Sequence, residues 1–364
     1  MSVEFIGMIG TRNASESRAA KGPVIDIPYL KQFAQAHEEA GFDRVLIAHH
    51  STGPDAFLVT SYAASVTKRI GFMLAHRPGF MEPTLAARKL ATLDQFSGGR
   101  LAVHIISGGD DAEQRRDGDF LDHDRRYERT DEYVDLLRRV WTSDKPFDHE
   151  GAHYKYAGAF SEVKPVQKPH IPIYFGGASD AAVVVAGKHA NVYALWGETL
   201  DQVRELVGSV RDEAARHGRT LRFSVSFRPI LADTEEAAWA RAERLLEETR
   251  RLRAAQGLGV GDPKQSVGAQ RLLKAAALGD RVDRRLWTAI AREVGARANT
   301  TALVGTPEQV AEALLDYYEL GVTTFLIRGF DPLEDAVDYG RALIPLTRKL
   351  VAERDKQRQS AAAA

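Results

Sequence analysis

The amino-acid sequence predicts an α/β fold, a (β/α)8 TIM barrel carrying insertions. Three observations predict it. Eight short aliphatic or β-branched runs are spaced along the chain, as expected of parallel strands buried on both faces. Amphipathic stretches with apolar residues at helical spacing follow nearly every run. The length, 364 residues, fits one such barrel with insertions.

Taken in order, Val3 to Met8 leads into a helical segment from Pro28 to Ala40. Arg44 to His49 precedes Asp55 to Thr67, Ile70 to His76 precedes Pro83 to Phe96, and Leu101 to Ser107 precedes Arg125 to Thr142. Ile171 to Gly176 is followed by Asp180 to Ala190, and Val192 to Trp196 by Leu200 to His217. Leu221 to Leu231 and Thr323 to Arg328 are the last two runs, and Asp331 to Leu350 closes the series as a helix. Gly or Pro marks most boundaries. Phe147 to Val166, rich in aromatic residues and Gly, reads as a hairpin excursion, and Gly257 to Thr301 as a long helical insertion. The second opens with the Gly-rich GLGVGDPKQSVG; long insertions in barrels often serve as lids, and a connector without function is the other reading. Residues 1–352 thus read as a single domain, and 353–364, ending KQRQSAAAA, as a frayed tail.

Composition removes several function classes. With 49 Lys and Arg against 50 Asp and Glu, no overall field attracts nucleic acid or an anionic membrane. The absence of cysteine excludes disulfides, thiolate metal sites and a cysteine nucleophile. The opening MSVEFIGMIG lacks a signal-type pattern, and no apolar run reaches roughly 18 residues, so a cytoplasmic protein is expected.

In a barrel of this kind, chemistry sits where strands run out into loops. After the fourth run comes Ser107-Gly108-Gly109-Asp110; after the fifth, Gly176-Gly177-Ala178-Ser179-Asp180 opens a helix. A Gly pair lets backbone approach an anion, and Ser179 with the exposed amides of the helix start supplies donors. His123, Arg125, Arg126 and Tyr127 are grouped at another helix start, where they could complete a phosphate clamp. The same residue types also serve as ordinary caps and solvated charges.

The ordered set RPGFMEPTLAARKLATLDQFSGGRLAVHIISGGD, FLDHDRRYERTDEY, PIYFGGASD, ALWGE and TALVG resembles the alkanesulfonate monooxygenases of the bacterial luciferase-like flavin group, from Val3 to about Leu350. The resemblance implies a barrel that binds reduced FMN at its C-terminal mouth. The phosphate would lie near His123, Tyr127, Gly176, Gly177 and Ser179, and the ring near Ala75, His104 and Ser107. Family enzymes usually have Asn and Thr where this chain has His104 and Ser107. On the substrate side the departures are larger. The family's seventh-strand Arg-x-His reads Ser226-Phe227-Arg228, its Cys falls near Gly53, its Tyr is Phe330 and its His is near Arg12. Positive charge persists at Arg12 and Arg228, His49 and His50 bring imidazoles to a neighbouring strand end, and Arg297 lies near the family's substrate-closing Arg. Arg228, His50 and Arg297 are the candidate catalytic residues; Arg12, Trp196, Ser226 and Phe330 are the candidate substrate contacts. An Arg fork suits a sulfonate or carboxylate.

By the same resemblance the partners are dioxygen, a separate NAD(P)H-dependent flavin reductase and a small anionic organosulfur substrate, with sulfite and an aldehyde as products if that substrate is a sulfonate. A homodimer or homotetramer is implied as well. The alternatives are hydride transfer with a deazaflavin, a flavin-binding relative without turnover, and a metal-dependent hydrolase. No HxH spacing supports the last, and no metal is expected.

Overall fold

The strands form where runs of Val, Ile, Leu, Phe and Ala leave no polar face to solvent, which forces burial on both sides. In the computed structural model, which describes residues 3–260, 266–296 and 299–363, these are β1 (Glu4–Ile9), β2 (Arg44–Ile47), β3 (Gly71–His76), β4 (Leu101–Ile106), β5 (Ile173–Gly176), β6 (Val192–Trp196), β7 (Arg222–Phe227) and β8 (Val322–Ile327). They close into a barrel in chain order, β1 lying beside both β2 and β8. The fold is therefore the expected (β/α)8 barrel. β3, β4 and β5 are parallel, with Ala75 opposite His104 and His104 opposite Tyr174.

The chain divides into two compact units, Leu46–Tyr193 with Ser209–Leu221, and Met1–Val45 with Ala194–Gly208 and Arg222–Ala364. In the first, every residue of β3 is buried, and Leu101, Val103 and Ile105 of β4 are fully so. Helices Ala56–Ser65, Pro83–Ser97 and His123–Thr142 cover them, the first and last capped by Asp55 and Asp122, whose side chains accept backbone N–H bonds. The excursion after residue 146 is a hairpin, Phe147–Glu150 against Lys155–Ala159.

In the second unit the seventh expected strand is cut short. It ends at Phe227, and Ile230–Leu231 instead pairs in parallel with Val304 and Gly305 in a separate four-stranded sheet. Pro229 is the cause, since it carries no N–H for a continuing ladder. Helices Glu235–Ala255 and Pro307–Glu319 are two elements that the sequence reading lacks. The insertion holds helices Val267–Ala277 and Ala289–Glu293 and the strand pair Arg281–Val282 and Leu286–Trp287. Arg271 anchors it, bonding Glu198 at 2.8 Å, Glu205 at 3.0 Å and the Gln202 carbonyl at 2.8 Å.

The closing helix is interrupted. Pro332–Asp338 passes through a π turn, Tyr339–Leu343, into Ile344–Ala363. The expected frayed tail is thus helical through Ala363, because Lys, Gln, Arg and Ala are strong helix formers. Among the described residues no helix is long and apolar enough to cross a membrane.

Candidate functional site

Two loops at strand C-termini and the first turns of helix His123–Thr142 bring the expected phosphate-binding residues together. The Tyr127 hydroxyl lies beside Ser179 and Ser107, and burial pushes it above its ordinary range. Ser179 caps helix Asp180–His189 by accepting the Ala182 N–H at 3.3 Å. Ser107 shares a 2.9 Å bond with Thr130, and its carbonyl accepts from Gln114 at 2.9 Å. His123 lies with its ring 4.9 Å from that of Tyr127 and pairs with Asp124 at the exposed helix start. Behind this cluster, buried Arg126 is held by Asp111 and the Leu121 carbonyl, both at 2.6 Å.

Gly177 is the tight point of this cluster. It follows Gly176, the last residue of β5, and has φ near +144°. A Cβ there would stand 2.7 Å from the Tyr127 hydroxyl and 2.8 Å from the Ala182 methyl. Tyr193 fixes its carbonyl by a hydrogen bond. Only a residue without a side chain leaves the backbone open beside the helix start, which is the geometry an anion requires.

Ala75 and His104 are neighbours across β3 and β4, with Ala75 buried. His104 Nδ1 is buried without a protein partner. Burial holds this imidazole down to about 4, so it is neutral near pH 7 and offers one donor and one acceptor. His50 is exposed; its Nδ1 shares a 2.9 Å bond with Thr52, and its Nε2 lies 3.5 Å from Glu113. The residues fit a flavin phosphate and ring: a side-chain-free cradle, three convergent hydroxyls and an orphaned buried imidazole nitrogen.

Arg228, Ser226, Trp196, Phe330 and Arg12 lie in the other unit. Arg228 is wholly buried at the end of β7. It pairs with Glu16, donates to the Gly329 carbonyl at 2.9 Å, and its guanidinium lies 3.6 Å from the Phe330 ring centroid. Arg328, just past β8, bonds the other Glu16 oxygen at 3.0 Å. Burial alone would raise the Glu16 carboxyl, but the two guanidinium charges and the Arg228 hydrogen bond hold it at about 2. Sequence reading missed both Glu16 and Arg328, and it left Arg228 as a free clamp; the structure makes it one arm of a two-arginine, one-carboxylate triad with one net positive charge. Ser226 donates to the Leu195 carbonyl at 3.3 Å. Trp196 packs on helix Val267–Ala277, over Gly268 and beside Ala269 and Leu272. Arg12 is half-buried in the loop after β1. Arg297 lies outside the described residues. Among the described residues no three His, Asp or Glu side chains are grouped as a metal-ion site.

Known proteins resemble this chain along nearly its whole length. The family model for luciferase-like monooxygenases matches residues 3–324. Among solved structures, a riboflavin lyase with modified FMN and riboflavin has TM-score 0.79 and 20% identity, covering 96% of this chain and 92% of its own. EDTA monooxygenase from Chelativorans sp. BNC1 has TM-score 0.76 and 20% identity over 96% and 94% of the two chains. DmoA from Hyphomicrobium sulfonivorans has TM-score 0.75 and 23% identity over 96% and 88%.

Proposed function

Because the chain belongs to the luciferase-like monooxygenase family, we propose that it is the oxygenase of a two-component system, taking reduced FMN from a separate NAD(P)H-dependent flavin reductase and oxidising a small anionic organosulfur substrate with dioxygen. The observation that carries this reading is the convergence of Ser107, Tyr127 and Ser179 around side-chain-free Gly177. It suits a phosphate monoester on a helix start. That one similar structure contains modified FMN and another FMN adds support.

The chemistry a bound reduced flavin supplies is activation of dioxygen. The chain's own residues then have three tasks. Tyr127, Ser107 and Ser179 hold the phosphate by hydroxyl donors, with the Gly177 backbone pressed close. Neutral His104 hydrogen-bonds the ring without adding charge to the barrel interior. Arg328, partly exposed and sharing Glu16 with Arg228, presents the triad's residual positive charge to an anionic head group.

The test is anaerobic loading with reduced FMN, then an oxygen pulse with and without a panel of alkanesulfonates, with sulfite and aldehyde measured. Sulfite formed only with substrate and in proportion to flavin oxidised is the expected result. Flavin oxidation at the enzyme-free rate, with no product from any member, would overturn the reading; hydride transfer from a reduced deazaflavin would replace it.

A further inference from the structure

Beyond the phosphate cradle, the ends of β2 and β3 gather polar groups that the proposed mechanism does not use. Arg77 follows β3 directly, and its side chain is 8% exposed. Its Nη2 bonds Glu113 at 2.9 Å, while its Nε and Nη1 are buried with no protein partner. His49, two residues past β2, stacks on Phe80 with ring centroids 6.0 Å apart, and its Nε2 is likewise buried and unpartnered. The Ser51 hydroxyl is a third such group, although its backbone N–H is bound by Glu113 at 3.1 Å. Burying a polar group without a partner is costly, so such groups collected in one place call for an acceptor.

The charge balance says what kind. Arg77 is already matched by Glu113, and Asp55 and Asp117 also act on His49. With His49 kept neutral by burial and by Arg77, carboxylates outnumber cations here. A second anion would be repelled, unlike at the Arg228 and Arg328 pair. A strongly dipolar neutral oxygen would not be.

We propose that Arg77, His49 and Ser51 form a binding site for an uncharged C=O or S=O oxygen, held by the free guanidinium N–H groups and by the His49 Nε2–H. This rests on, and deepens, the flavin-monooxygenase reading: the oxygen belongs either to the substrate or to the pyrimidine edge of the flavin. His49 is a specificity residue on this view, since the Arg77–Glu113 pair alone leaves one buried donor edge without a second partner.

Two variants test it. Arg77→Lys keeps a cation for Glu113 but removes the free guanidinium donors; His49→Phe keeps the stack on Phe80 and removes Nε2. Dissociation constants are measured by ligand-observed NMR for acetophenone and methyl phenyl sulfone, with ethylbenzene and benzenesulfonate as the apolar and anionic controls, and by fluorescence titration for oxidised FMN. Loss of one such hydrogen bond should weaken binding about tenfold. A tenfold loss for the neutral oxygen probes in both variants assigns the oxygen to the substrate; the same loss for FMN alone assigns it to the flavin. Changes under twofold (about 0.4 kcal/mol, less than one hydrogen bond contributes) for both classes would overturn the site, as would a loss confined to benzenesulfonate. If Arg77→Lys does not fold, His49→Phe carries the test alone. Failure of wild type to bind FMN would sink the flavin reading yet leave the probe arm decisive.

Discussion

Replacing Glu16 by Gln isolates the buried triad. Glu16 bridges Arg228, which is fully buried, and Arg328, and its own side chain is 25% exposed. Its carboxyl is carried from the ordinary 4.5 to about 2. At about 1.36 kcal/mol per pH unit, this contributes about 3 kcal/mol of stability at neutral pH, an upper figure given the partial exposure. The sign follows from a depressed carboxylate: the contribution is complete above pH 4.5 and is lost as pH falls through 2. At pH 3 about 1.4 kcal/mol of it remains. Urea unfolding of wild type and Glu16→Gln at pH 7 and pH 3 should therefore show a gap of about 3 kcal/mol that shrinks by half on acidification. A gap below roughly 0.5 kcal/mol at both values, the range of an ordinary surface change, would refute the reasoning, and so would one that widens in acid.

Other perturbations reach the cradle and the histidines. Tyr127→Phe removes the hydroxyl set beside Ser107 and Ser179 while keeping the ring, and FMN titration should show about tenfold weaker binding with an unchanged fold. Gly177→Ala puts a methyl 2.7 Å from Tyr127 at a positive φ, so FMN binding should vanish and the melting curve should report about 1–3 kcal/mol of lost stability. Burial depresses His104 to about 4, so the unfolded chain takes up its proton first and stability falls as pH drops from 6.5 towards 4; His104→Gln should remove up to about 3 kcal/mol of that fall in acid unfolding curves.

The barrel was legible because each of its strands is a short apolar run with nowhere to go but between helices, and punctuation by Gly and Pro set most ends within a few residues. Helix Glu235–Ala255 escaped because its buried face is largely Ala238 and Ala242, diluted by charged neighbours, so no apolar stripe stands out. Helix Pro307–Glu319 did carry a readable signal, the capping box of Thr306 and Gln309. At the cradle, Ser107, Gly177 and Ser179 were readable as residues at strand ends and Tyr127 as one of a polar group at a helix start, and the fold brings them together. The triad was not readable. Glu16 and Arg328 are 312 residues apart, and nothing local marks a carboxylate as the partner of two particular arginines.

The π turn at Tyr339–Leu343 holds one more residue per turn than the helices it joins. It lets two faces be set independently: ahead of it Asp335 bonds Arg241 at 2.7 Å, at its start Tyr339 donates to the Pro229 carbonyl at 2.5 Å, and beyond it Thr347 and Val351 are buried. Within it, Gly340 passes so near Ala40 that a Cβ would stand 2.4 Å from that methyl. Deleting a single residue here would restore a regular helix, yet rotate everything after it by about 100° and turn buried positions outward. The segment should therefore tolerate exchange of its exposed side chains, such as Arg341, far better than any change in its length.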